Sequence, residues 1–292
     1  MGRRVSKRFV AGMSVEEALA AAEQLNREGI DVSLDSLGES VTAVAQAEAS
    51  AAIYHRLLEE IAARGLRANV SVKLTQVGMD VGMDVGGASP ETGPALAERI
   101  VGEMAEHAAR TKNFVRIDME GSEYTEATVA MTERLYARFS GAVGTVLQAY
   151  LFRTADDVER LVRQGIRLRL CKGAYREPPA IAFAAKADVD ANYARLMQRV
   201  VTSGVFCGIA THDEALVDQL CRFVETNGVA KSAFEFQMLY GIRRDLQRKL
   251  VAAGYGVRVY LPFGPEWYPY FMRRLAERPA NVLFLARNFF RY

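Results

Sequence analysis

Cysteine and histidine are scarce in this chain of 292 residues, with three of each. Cys171, Cys207 and Cys221 form no C-x-x-C pair, which excludes a zinc ribbon and leaves no disulfide framework. His55, His107 and His212 are too few for a histidine-rich metal centre, so no metal is expected. Excess charge is also lacking: 37 Lys and Arg face 35 Asp and Glu, a formal +2. Such a balance gives no general attraction to nucleic acid or to an anionic membrane. No apolar run approaches the ~18 residues of a membrane helix. Neither G-x-G-x-x-G nor G-x-x-x-x-G-K-[ST] occurs, so both common nucleotide fingerprints are missing. Met1-Gly2-Arg3-Arg4-Val5-Ser6 fits the myristoylation pattern and holds twin arginines, yet no apolar h-region follows. That start reads as a basic segment leading into the first helix, and the chain as soluble and intracellular.

What is present is ordinary globular composition, 50% hydrophobic and 25% charged. Short β-branched runs alternate with long Ala/Leu/Glu/Arg segments from end to end. Strands are predicted over 30–37, 68–77, 113–119, 144–150, 166–172, 206–212, 234–239 and 256–262. Ser14 with Glu17 reads as a capping box, and Gly29 closes the helix it opens. Ser89-Pro90 reads as an N-cap with proline at the first helical position. Thr154 with Asp157 opens a further helix that Gly165 ends, and Gly65, Gly204, Gly228 and Gly254 mark other helix ends. A last helix is predicted from about Glu266 to Arg278, stopped by Pro279. The period-four stretch 77–86 reads as a loop after the second strand.

Eight near-continuous apolar strands, each followed by a helix, predict parallel strands covered by helices. Doubly wound sheets compete, but eight units in under 300 residues favour an α/β fold closed as a (β/α)8 barrel. No linker divides the chain, so a single catalytic domain spanning 1–292 is expected, with an extra helix at each end.

Barrel sites lie at the C-terminal ends of strands, and these ends are polar here. They include Lys73, Arg116, Asp118, Glu120, Gln148, Arg169, Lys172, Thr211, His212, Glu235, Gln237, Arg258 and Tyr260. Burying so many charges costs several kcal/mol per unpaired ion, so partners, water or a ligand must satisfy them. Lys172-Gly173-Ala174 sets a cation beside a flexible backbone, suited to a pyrophosphate or to a plain turn. Arg273 and Arg274 are adjacent on the last helix and point about 100° apart, so they share a ligand only if it lies across that helix. Their forks suit a carboxylate; a solvated arginine pair is the alternative.

The runs SVKLTQVG, VRIDME, VLQAYLFRT, RLCKGAY, ATHDE, FEFQMLYGIRRDLQ and VYLPFGPEWYPYFMRRLAE occur in that order. Together they resemble the proline dehydrogenase family over about 6–288, in its short single-function bacterial form. The resemblance implies an FAD-dependent barrel that oxidises L-proline to Δ1-pyrroline-5-carboxylate by hydride transfer from C5 to flavin N5, the first step of proline catabolism. It assigns Asp118 and Arg169 to catalysis, Arg169 beside N5. Lys73, Tyr175, Tyr260, Tyr270, Arg273 and Arg274 fall at substrate positions, the two arginines and Lys73 on the carboxylate with Asp118 offsetting their repulsion. Met119, Gln148, Arg169, Lys172, Gly173, Ala174, Thr211, His212, Gln237 and Glu277 fall at FAD positions. Cys171 stands where valine is usual, and the 77–87 loop departs from the family pattern. The resemblance further implies a quinone or other electron acceptor and a cytoplasmic protein, with peripheral placement at the inner membrane and a homo-oligomer left open. Rival readings of the same residues are a Schiff-base aldolase using Lys73, a non-catalytic anion-binding barrel, and a metal-dependent hydrolase using His212.

Overall fold

The computed structural model describes residues 9–82 and 93–276, in the last helix with side chains for 267–270 and 272. The 1–6 segment, Ser89-Pro90, Glu277 and Pro279 lie outside the described residues, as do the side chains of Arg273 and Arg274. Eight parallel strands close in sequence order, with the eighth paired to the first. They are β1 (Asp31–Ser36), β2 (Ala68–Val72), β3 (Val115–Ile117), β4 (Val143–Gln148), β5 (Leu168–Cys171), β6 (Cys207–Ala210), β7 (Phe234–Leu239) and β8 (Gly256–Phe263). Around them run α1 (Val15–Arg27), α2 (Val44–Arg64), α3 (Pro94–Arg110), α4 (Ser122–Arg138), α5 (Thr154–Val162), α6 (Lys186–Val201), α7 (Glu214–Thr226), α8 (Arg244–Ala252) and α9 (Trp267–Ala276). Among the described residues no helix is long and apolar enough to cross a membrane.

The N-cap at Ser14 and the helix-end glycines read from the sequence are met. Ser14 Oγ accepts from the Glu17 amide at 3.2 Å, and Glu17 Oε2 accepts from the Met13 amide at 2.6 Å. Gly29, Gly65, Gly165, Gly204, Gly228 and Gly254 all have positive φ between helix and strand. Thr154 differs: it is the first residue of α5, and its hydroxyl donates back to the Gln148 carbonyl at 2.5 Å. Strand 2 also ends earlier than its apolar run suggests. Leu74–Val77 turns into a short 3-10 helix after Lys73, which halts the strand at the barrel rim.

The strands are not apolar on both faces, contrary to expectation. Val32, Leu34, Val70, Val72, Val115, Ile117, Ile209 and Val259 pack in the main hydrophobic core. The residues between them form a polar lumen: Ser33 donates to Asn69 at 2.5 Å, and Arg258 pairs with Glu235 at 2.6 Å and Asp31 at 3.2 Å. Period-two alternation therefore sorts apolar side chains under the helices and polar ones inward. α9 starts shortly after β8 and packs Tyr270 with Phe9, Val10 and Leu37. Leu37 follows β1, so α9 sits at the C-terminal rim.

A histidine pair lies between α2 and α3, away from that rim. His55 Nδ1 and His107 Nδ1 are 3.0 Å apart, and the rings stack with centroids 5.3 Å apart. This contact needs one protonated and one bare nitrogen, so both rings cannot be charged in place. Burial and the neighbouring His55 hold His107 below its ordinary range; Glu59 opposes and Arg110 reinforces this. Between the lowered folded value and the ordinary value of 6.5 the unfolded chain binds the extra proton. Stability present above about pH 6.5 should thus be lost as pH falls through and below it. Urea midpoints across pH 5 to 8 test this: His107→Gln should flatten the slope, and an unchanged slope would assign it to other groups.

Candidate active site

The C-terminal rim gathers side chains from six strands and the residues that follow them into one buried network. Lys73, immediately after β2, donates to both Asp35 oxygens at 3.2 and 3.1 Å and to the Tyr260 hydroxyl at 3.4 Å. Glu39 lies 3.9 Å from the same ammonium. Tyr260 on β8 donates to Asp118 Oδ2 at 2.8 Å. Asp118 Oδ1 accepts from Ser71 at 2.6 Å and from Arg169 Nη1 at 2.8 Å. Arg169 on β5 also bonds Gln237 through Nε, reaches Ser71 and Ser33 across the lumen, and lies 5.2 Å above the Tyr260 ring.

Charges alternate along this chain of contacts, Asp35 to Lys73 and Asp118 to Arg169, bridged by Tyr260. Burial drives Lys73 toward its neutral form, but Asp35, Asp118 and Glu39 more than offset this and hold the ammonium above its ordinary range. Burial raises Asp35, against the opposing pull of Lys73. The bonds also fix hydroxyl direction, since Tyr260 accepts from a lysine and donates to a carboxylate.

This corrects the expected partnership at Lys73. Its paired carboxylate is Asp35, whereas Asp118 is bonded to Arg169, Ser71 and Tyr260. Asp35 and Ser33 were not singled out in the sequence. The strand-end rule applied to the first strand, S-L-D-S, would have found Asp35.

A second group borders this network through β4, β5, β6 and β7. Gln148 donates through Nε2 to the Met119 and Glu120 carbonyls, each at 3.2 Å, while its buried Oε1 has no partner. Lys172 is pinned by Asp190 at 2.5 Å and Asp213 at 3.1 Å. Thr211 Oγ1 accepts from the Asp213 amide at 3.1 Å. His212 Nε2 accepts from the Leu239 amide at 2.8 Å, which leaves the proton of the neutral ring on Nδ1. Gln237 passes its amide to Glu235 at 2.7 Å, and Gly208 makes room: a Cβ there would lie 2.3 Å from that amide. Ala174 and Tyr175 are exposed on the loop after β5, and Tyr270 is buried on α9. Of the substrate positions, the structure brings Lys73 and Tyr260 together with Asp118 and Arg169. Among the described residues no group of three His, Cys, Asp or Glu could hold a metal.

An eight-stranded parallel barrel with an ion-paired rim defines a barrel enzyme class whose chemistry sits at the strand ends. The family profile described as Proline dehydrogenase matches residues 18–287, and the chain belongs to that family. It is 43% identical over 285 residues to Proline dehydrogenase from Deinococcus radiodurans, covering 97% of this chain and 89% of that one. It is 37% identical over 284 residues to Proline dehydrogenase 2 from Bacillus subtilis, covering 97% of this chain and 90% of that one. In fold it is similar to proline utilization A (PutA) from Bdellovibrio bacteriovorus inactivated by N-propargylglycine, with a TM-score of 0.84 and 24% identity. That likeness covers 94% of this chain but 32% of the other, so the chain spans about a third of that protein.

The residues present fit an FAD. Gln148 keeps a buried acceptor without a partner, as a ring N–H donor requires. Gly173 has φ +105°, and a Cβ there would lie 2.2 Å from the Tyr150 ring, so the turn after Lys172 admits no side chain. Gly173→Ala should strain this turn by roughly 1–3 kcal/mol and lower the flavin retained on purification. The 450 nm to 280 nm absorbance ratio checks this. A parental ratio would mean that the turn does not hold the cofactor.

Proposed function

We propose that the chain is a proline dehydrogenase acting as one catalytic domain, oxidising L-proline to Δ1-pyrroline-5-carboxylate as the entry to proline catabolism. The observation that carries it is the Asp35–Lys73–Tyr260–Asp118–Arg169 network at the rim of a family barrel. FAD, when bound, would supply the two-electron acceptor for the hydride lost from proline C5. Met119, Gln148, Arg169, Lys172, Gly173, Ala174, Thr211, His212, Gln237 and Glu277 are the residues assigned to hold it. Lys172 would meet its phosphates while already balanced by two carboxylates.

Lys73, Arg273 and Arg274 bind the proline carboxylate, with Tyr175, Tyr260 and Tyr270 around the ring. Asp118 holds Arg169 and Tyr260 in place through its two oxygens. Arg169, held by Asp118 and Gln237, is a preorganised positive charge that would favour electron density developing on a cofactor bound beside it. The ring nitrogen must give a proton to water to free the lone pair that forms the C5=N bond. A Schiff-base role for Lys73 is disfavoured, because Asp35 keeps the amine protonated. In this reading the protein works in the cytoplasm and passes electrons to a quinone at the inner-membrane surface; family resemblance alone supports that step.

The test is direct. Purified protein should be yellow and should bleach anaerobically when proline is added. Bound flavin that stays oxidised with excess proline would overturn the assignment.

A further inference from the structure

We infer that Asp35 is the positioning residue of the substrate-carboxylate site: it aims Lys73 and keeps it charged, and so sets affinity for the acid group. This rests on the proline dehydrogenase reading above. Asp35 is fully buried on β1 and has Lys73 Nζ bonded across both of its oxygens. Two contacts from one ammonium to one carboxylate restrict where the third N–H can point. The other described hydrogen bond of that ammonium goes to Tyr260, and Tyr260 is tied to Asp118.

Asp35 is itself held from behind. The Tyr54 hydroxyl lies 3.4 Å from Asp35 Oδ1 and 2.9 Å from Gln76 Oε1. Gln76 Nε2 in turn donates to the Ser36 carbonyl at 2.6 Å, returning to the end of β1. Tyr54 on α2 and Gln76 in the 3-10 turn thus brace the carboxylate from two elements. A lysine this deeply buried would lose its proton without a counter-ion. Asp118 is occupied by Arg169, Ser71 and Tyr260, and Glu39 is at 3.9 Å. Asp35 is therefore the one bonded carboxylate of Lys73 among the described residues. Asp35 acts through Lys73, the cation that it holds.

Asp35→Asn keeps the shape and removes the charge. The expected result is a KM for proline raised by at least about tenfold, the worth of a charge-assisted bond, with kcat within about threefold. The alkaline limb of log(kcat/KM) should move to lower pH, because Lys73 then loses its proton more readily. Calorimetry with cyclopentanecarboxylate, a ring acid without the amine, should show the same loss of affinity without any redox step. Asp35→Glu should restore part of it.

If Asp35→Asn does not fold, Lys73→Met and the Asp35→Asn/Lys73→Met double variant decide the matter, since removing both charges spares the barrel an unpaired ion. A residue acting only through Lys73 adds nothing once Lys73 is gone, so the two should share one KM. A further tenfold rise in the double variant overturns the inference, as does parental KM with an unmoved pH profile in Asp35→Asn. Parent protein that binds cyclopentanecarboxylate yet never oxidises proline would instead overturn the functional reading.

Discussion

Arg169→Met should lower the rate of anaerobic flavin reduction at saturating proline by about 10²–10³, the scale seen when one preorganised donor is removed. Arg169 is the cation bonded directly to Asp118, and it ties β5 to β2, β3 and β7 through Ser71, Asp118 and Gln237. Methionine fills similar volume but returns no charge. Among the described residues Asp118 would then be left buried with two hydroxyl donors, Ser71 and Tyr260. Breaking a buried pair from one side typically costs about 3–5 kcal/mol, so a fall in melting temperature should accompany the rate loss. The two effects separate on Arg169→Lys, which restores the charge without the planar fork. Stopped-flow absorbance at 450 nm gives the rate and thermal unfolding gives the stability. A Met variant that reduces within tenfold of the parent would remove Arg169 from the chemistry.

The second large effect concerns Arg273 and Arg274, whose positions lie on α9. The described ions bonded together at the rim are Lys73 and Arg169 against Asp35 and Asp118, which cancel. Glu39 near Lys73 adds a further negative charge. A substrate carboxylate entering that balance needs cations from elsewhere, and α9 carries two in adjacent positions. Its Tyr270 packs on Leu37, the residue following β1, which brings the helix to the C-terminal rim at the end of β1. Each of Arg273→Met and Arg274→Met should raise the proline KM by roughly 10–100-fold, matching about 1.5–3 kcal/mol for a hydrogen bond to a charged group. The barrel should stay folded, because both positions lie on α9 and outside the eight strands. Ground-state binding alone would appear in KM; a fall in kcat as well would mean that the same contact orients C5. Steady-state kinetics with flavin occupancy checked reads both. Parental kcat/KM in both variants would return the arginines to the solvated surface.

Much of the architecture is local in origin and could be read from the chain. Alternating strand and helix patterns, with glycine at the helix ends, specify eight β/α units, and parallel strands joined by helices must pack in a layered or closed form. Strand-end chemistry was legible for the same reason: Lys73, Asp118, Gln148, Arg169 and Lys172 interrupt apolar runs where a core would have none. Boundaries were less so. The apolar stretch 68–77 cannot by itself reveal that Leu74–Val77 leaves the sheet as a 3-10 turn.

Pairing was decided only in three dimensions. Which carboxylate neutralises which cation depends on the stagger of neighbouring strands. The closure of β8 onto β1 sets Ser33 beside Tyr260, and Asp35 meets Lys73 across 38 positions of sequence. No periodicity encodes such a distance. The polar lumen has the same cause: alternation along one strand says that two faces differ, but only closure of the sheet makes one face an interior where charges must find each other.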